Sequence, residues 1–279
     1  MPGLTSRGVR CWIAPRDVRP GIDYSEELQA AIETCAAFVV LVAAFIRVEL
    51  RSPSPMIQLR LFSNPMLSVS VLSGFLAFVC LSVTFLLMPF YLEDIVGLQV
   101  GFVGLLLGVQ PLVMGLVSPV SGSLSDRIGI RRLTLIGLAI VLVALLVFRS
   151  FDADTTPAQF LLFAIPLGLG LGIFQSPNNS AIMGSVPPSY MGLGGGIMTL
   201  TRLLGITTGV AVLGSLWAAN VATQLAGSLP PGGATDAPAW AQVEALHTTM
   251  TVAAAIIGLT LLIGVWGLRQ EGRLRSTAG

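Results

Sequence analysis

The residues that could do chemistry here are the polar ones placed inside long apolar runs. Arg202, Gln175, Asn178, Asn179 and Gln110 each lie in a stretch long enough to cross a bilayer. An unpaired polar group there is costly, about 2.5–3.5 kcal/mol for arginine at a helix centre. Arg202 admits two readings. It is either a cation facing a central cavity, where it meets substrate or a carboxylate from elsewhere, or a packing arginine that snorkels to the headgroups. Gln175, Asn178 and Asn179 surround Pro177, and Gln110 precedes Pro111. A proline leaves one carbonyl without its partner, so these amides either line a cavity or re-satisfy the backbone, and repair is the simpler reading. His247, the only histidine, is expected to be a solvated loop residue at the edge of the last run. No nucleophile–base pair and no metal-ligand spacing occurs, and Cys11, Cys35 and Cys80 are too scattered for a disulfide framework or a zinc site. The reading is therefore no enzyme, no metal and no cofactor.

The elements that must position these residues are membrane spans. The chain is 54% hydrophobic and 10% charged, with a mean hydropathy of +0.85. That composition belongs to an integral membrane protein in a lipid bilayer. The formal net charge is +1, and there is no basic run with interleaved aromatics, so no nucleic-acid partner is expected. Six apolar runs, about 67–90, 100–121, 133–151, 158–183, 193–219 and 249–268, each have the length that a transmembrane helix needs. Every Asp and Glu between 67 and 268 falls outside them, so a proton carrier is not apparent. The glycines of 168–172, 192–196 and 205–214 lack the strand and the Lys-Ser/Thr of a phosphate loop and are read as close helix contacts. Phe75, Phe78, Phe85, Phe90 and Phe102 are read as packed or lipid-facing. Placing alternate loops on opposite sides gives one side nine arginines (47, 51, 60, 127, 131, 132, 269, 273, 275) and the other only Arg149. By the positive-inside rule both termini are expected in the cytoplasm. The stretch 220–248, rich in Pro and Gly, is expected to be an external mobile loop.

The short charged turn from Gly122 to Leu133 organises the rest. Asp126 can accept from the free N–H groups of a helix start, Gly129 permits a positive φ, and Arg127, Arg131 and Arg132 form a cationic cluster at a membrane face. The pattern G-x-L-x-D-R-x-G-x-R-R resembles the signature cytoplasmic loop of the major facilitator superfamily, in the form seen in the second half of fourteen-helix drug:proton antiporters. The resemblance continues through Pro53–Phe62, Gly168–Gly172 and Thr201–Ala211 and covers roughly residues 45–270. It implies an all-α membrane domain of six helices over 67–279, one half of a transporter. It further implies a small hydrophobic or amphipathic substrate, proton coupling, residence in the cell membrane, and a second six-helix half or a homodimer as partner. The related antiporters carry their intramembrane acids mainly in the other half.

Residues 1–46 read differently. Cys11-Trp-Ile-Ala-Pro-Arg-Asp-Val-Arg-Pro-Gly-Ile-Asp-Tyr24 reads as a short strand and turn, Ser25-Glu-Glu opens an amphipathic helix to about Cys35, and Phe38–Phe45 is strand-like. This segment resembles the middle of a bacterial TIR domain, an α/β fragment of about forty residues. The family's opening strand and its later helix with the NAD-cleaving glutamate have no counterpart. With Arg7, Arg10, Arg16 and Arg19 interrupting it, the segment is not a secretory signal and is expected to stay in the cytoplasm. It implies a remnant fused upstream of the membrane domain or a faulty gene start, with a membrane-anchored signalling piece as the alternative. Residues 47–66 are expected to be a cytoplasmic or interfacial linker. A truncated, inactive product is the alternative to a working half-transporter.

Overall fold

The computed structural model describes residue 47 and residues 59–277, apart from 226, 228, 229, 231 and 232. The TIR-like fragment over 1–46 and most of the 47–66 linker lie outside the described residues. The membrane domain is built from six long helices, and no strand occurs among the described residues.

Local signals set the helix ends. Helix α1 (Pro65–Phe90) starts where Asn64 accepts the Met66 N–H at 3.0 Å and Pro65 supplies a fixed φ in the first turn. Beyond Pro89 it continues as a single π-helical turn, Tyr91–Ile95. Helix α2 (Val100–Ile128) and helix α3 (Ile130–Val147) meet at Gly129, whose φ of 98° lets the chain reverse in one residue. Helix α3 ends in a 3-10 turn, Phe148–Ser150, that holds Arg149 exposed. Helix α4 (Pro157–Gly184) opens with a capping box between Thr156 and Gln159. Helices α5 (Met191–Gln224) and α6 (Ala239–Thr277) complete the set.

The helices form two layers. In the first, α2 packs on α4, α4 touches α1, and α1 packs on α5. Behind them α3 packs against α4, and α6 against α1, α5 and α3. Glycines bring the first layer together. A Cβ placed at Gly168 would lie 2.5 Å from the Gln110 carbonyl oxygen of α2, and one at Gly205 would lie 2.6 Å from Phe78 Cβ of α1. One turn along, a Cβ at Gly172 would lie 3.0 Å from the Met114 carbonyl oxygen, and one at Gly209 would strike Ser82 and Val79. Between layers, a Cβ at Gly137 would lie 2.6 Å from Phe174 N and 2.7 Å from Gly170 O. These are small residues four apart that let backbones touch, as expected for helices that cannot use a hydrophobic driving force in lipid.

Two expectations are corrected. Helix α5 runs on to Gln224, and α6 begins at Ala239, ten residues before the expected 249, so the connection is far shorter than 220–248. Gln242 explains the early start. Its side chain is 4% exposed and donates from Nε2 to the carbonyls of Thr235 and Ala237, both at 2.8 Å, while Trp217 Nε1 donates to the Gln242 carbonyl at 3.3 Å. The acids are also not confined to loops. Glu93 and Asp94 ride on the π turn, Asp126 on the last turn of α2, and Glu244 on the second turn of α6.

Candidate functional site

The structure separates the five intramembrane candidates. Gln110 is 7% exposed and its own carbonyl abuts Gly168, so it belongs to the α2–α4 crossing. Arg202 is exposed on α5, with its guanidinium carbon 5.5 Å from the centre of the Phe78 ring of α1. A cation over an aromatic face is stabilised by about 0.5–1 kcal/mol when exposed, and this contact fixes the side chain at the outer end of the first layer. Gln175 and Asn179 are half-buried on α4. Asn178, by contrast, is 4% exposed and turns inward. Its Nδ2 lies 3.1 Å from where a Gly74 Cβ would stand, beside Thr201. Of the expected phenylalanines, Phe85, Phe90 and Phe102 are exposed, while Phe75 and Phe78 pack against the core.

Asn178 reaches a cavity of about 20 Å³ walled by α1, α3, α4 and α6. Ser70, Ser73, Thr134 and Arg131 share that wall. The Arg131 side chain lies flat on α6, where any Cβ at Gly267 would strike its guanidinium. So Gly267 on one helix and the turn arginine on another form a contact that the linear sequence does not announce.

The charged turn behaves as expected in one respect and differs in another. Gly129 takes the positive φ, and Gly122 presses on α4, where a Cβ would lie 3.0 Å from Ser176 Oγ. Asp126 is exposed with Arg127 and Arg132, and no side chain caps α3. The expected capping by Asp126 is corrected: it falls three residues before Gly129, still inside α2, and Gly129 itself is the cap residue with nothing to offer.

His247 is the other correction. It is a helical residue, half-buried, with Nε2 2.6 Å from the Phe151 carbonyl oxygen and Nδ1 4.0 Å from Glu244 Oε2. It joins an aromatic cluster that sequence reasoning missed. Phe148 sits at its centre, with ring centroids 5.6 Å from Tyr91, 4.8 Å from Phe151 and 5.3 Å from Phe163. Tyr91 Oη donates to the Asp152 carbonyl at 2.7 Å. The signal was present in Phe148-x-x-Phe151 and Phe160-x-x-Phe163, one turn apart on facing helix ends, but period alone cannot show that three segments converge.

Among the described residues no group of three or more His, Cys, Asp or Glu could hold a metal. The arrangement offers apolar surface, an exposed arginine on α5 and a small cavity lined by polar side chains. Comparison with known proteins agrees with that chemistry. The chain is 33% identical over 186 residues to the riboflavin transporter RibZ of Clostridioides difficile, an alignment covering 66% of this chain and 40% of that protein. It is 31% identical over 183 residues to the multidrug resistance protein Stp of Mycobacterium tuberculosis, covering 66% and 34%. It is 30% identical over 193 residues to the uncharacterized transporter YebQ of Escherichia coli, covering 69% and 42%. These relatives are transporters, not enzymes, and the chain spans about two fifths or less of their length. The Major Facilitator Superfamily model matches residues 26–210. With six helices long and apolar enough to cross a membrane and that match over most of its length, the chain belongs to the major facilitator superfamily.

Proposed function

We propose that this chain is the six-helix half of a drug-efflux carrier that moves small hydrophobic or amphipathic molecules across the cell membrane in exchange for protons. It works with a second six-helix half, which is either another polypeptide or a second copy of this one. The observation that carries the reading is the two-layer packing. The first layer, α2–α4–α1–α5, has α3 and α6 on one side only, and its outer members are the least covered: 17% of the most apolar stretch of α2 is buried, against 61% for α1. Carriers built from two such halves bind substrate near the midplane between them and alternate access by rocking one against the other. The uncovered side of the first layer is the surface a second half would meet. The relative named for multidrug resistance supports a drug-like substrate.

In this reading Arg202, exposed beside Phe78, is the cation at the edge of the central cavity, and Gln175 and Asn179 are the amides nearest to it in role. Gln110 and Asn178 are structural. The acids on this half sit near helix ends, so the proton-titrating group belongs to the partner half. Both termini lie in the cytoplasm in this reading, which the nine-to-one arginine distribution supports.

The test is efflux from vesicles holding the full chain, alone and with each candidate six-helix partner, read with a fluorescent dye and an imposed pH gradient. Dye movement that needs the gradient, and that falls with Arg202→Gln but recovers with Arg202→Lys, supports the reading. No gradient-dependent movement with any partner, in vesicles shown to contain both proteins, overturns it.

A further inference from the structure

The two rear helices, α3 and α6, each turn one stripe of side chains outward, and the two stripes are bounded alike. On α3 the exposed positions are Arg132, Ile136, Ala139, Val143 and Leu146, with Arg149 on the turn that follows. On α6 they include Glu244, Thr251, Ala255, Leu259, Leu262 and Trp266. Steps of three, four or seven residues keep each set on one side of its helix. Charge stands only at the ends. Between Arg132 and Arg149, and between Glu244 and Trp266, no exposed residue among those described carries a charge. The exposed hydroxyl within this band, Thr251, donates to the His247 carbonyl at 2.7 Å and so needs no water. Helix α5 differs, because its exposed Thr199, Arg202 and Thr207 bring polar groups and a charge well inside the helix.

Two contacts set the depth of the band. At one end any Cβ on Gly267 would strike the Arg131 guanidinium, and at the other His247 Nε2 lies 2.6 Å from the Phe151 carbonyl oxygen. The chain runs the same number of residues from 131 to 151 as from 247 to 267, about 30 Å at ~1.5 Å per residue. That is the thickness of the hydrocarbon core of a bilayer, ~30 Å. Arg132 and Trp266 stand at the first of these levels and Arg149 near the second, while Glu244 and Trp240 lie beyond the second. Arginine stems lie along apolar surface while their heads reach the headgroups, and tryptophan collects at the membrane–water boundary.

We propose that the α3–α6 wall faces the acyl chains of the bilayer phospholipids, with Arg132 and Trp266 at one headgroup boundary and Arg149 and Glu244 at the other. Ile136, Val143 and Leu146 of α3 and Ala255, Leu259 and Leu262 of α6 then lie in hydrocarbon. This wall is a different face from the one assigned above to a second half. The inference rests on the chain spanning a bilayer and not on what it transports.

The experiment reads tryptophan fluorescence of the full chain in phosphatidylcholine vesicles whose acyl chains are brominated either near the headgroup or near the methyl end. One variant keeps Trp266 alone, with Trp12, Trp217 and Trp240 replaced by Phe, and a second carries Val143→Trp with all four native tryptophans replaced. Bromine near the methyl end is expected to quench the Val143→Trp emission about twofold more than bromine near the headgroup, because that position lies near the middle of the ~30 Å core. The order is expected to reverse for Trp266. Should Trp217→Phe not fold, Trp217 stays in both variants as a common buried background, and Ala255→Trp replaces Val143→Trp if that change is not tolerated. Emission that brominated lipid leaves unchanged at both positions overturns the proposal and shows the wall covered by a second copy. Quenching of Val143→Trp that is lost when a candidate six-helix partner is added also overturns it, and moves the partner's docking face to this wall. Equal quenching by both lipids at both positions overturns the depth assignment. A chain that moves no dye with any partner would still give the expected quenching, so the two readings fail separately.

Discussion

The two ends of the helix bundle are closed by opposite chemistry. At the arginine-poor end, Tyr91, Phe148, Phe151, Phe160 and Phe163 interlock, most of them fully buried, and the polar atoms there, Tyr91 Oη and the His247 ring, each have a partner. At the arginine-rich end, α1, α3, α4 and α6 meet around serines, an asparagine and an arginine with a void left between them. Rings that fill space and satisfy their polar atoms hold a helix junction in one arrangement. A junction that leaves a cavity of about 20 Å³ between its helices is less tightly filled. The difference says that the aromatic end is the more firmly fixed of the two.

The largest effect that could break this comparison is at Phe148. It is fully buried and central to the rings around it, so Phe148→Ala is expected to destabilise by about 3–5 kcal/mol. Unfolding of nanodisc-embedded protein by heat or denaturant reads this. A loss under about 1 kcal/mol would show that the ring cluster is not what fixes that end. Gly137→Ala comes next. The new methyl meets backbone of α4 at 2.6–2.7 Å, which cannot rotate away as a side chain could, and overpacking of this kind costs about 1–3 kcal/mol. Because Gly137 lies in the middle of α3, the substitution is expected to lower the unfolding temperature without altering labelling of single cysteines introduced at the aromatic end. Labelling that rises there as well would mean that the two ends are not separately held.

How far these features could be read in advance differs by kind. The existence of six spans follows from runs of apolar residues, since length and hydropathy are local properties. So does the reversal at Gly129, where only one residue separates two helices and glycine takes the φ of 98°. The start of α6 was not legible, because Gln242, Glu244 and His247 make that segment look like a loop. What keeps it helical is long-range: Gln242 holds the carbonyls of Thr235 and Ala237, and His247 meets Phe151 nearly a hundred residues away. The site was legible only as a set of residue types. Composition placed Asn178 and Asn179 side by side, and the helix turns one inward to the cavity and leaves the other half-buried on the outer part of α4. Adjacent positions on a helix differ by about 100°, so sequence proximity says little about shared function unless the helix face is known.

Two smaller substitutions sharpen the contrast without disturbing packing. Tyr91→Phe keeps the ring and removes only the 2.7 Å hydrogen bond to the Asp152 carbonyl. The expected loss is about 0.5–1.5 kcal/mol, one ordinary hydrogen bond with its acceptor left unpaired. Ser70→Ala is the matching change at the other end, where the hydroxyl lines the cavity and makes no hydrogen bond among the described residues. With no protein partner to lose, the change is expected within about 0.5 kcal/mol of zero, read by the same unfolding measurement. If Ser70→Ala is as costly as Tyr91→Phe, the serine has a protein partner, and the arginine-rich end is as self-sufficient as the aromatic one.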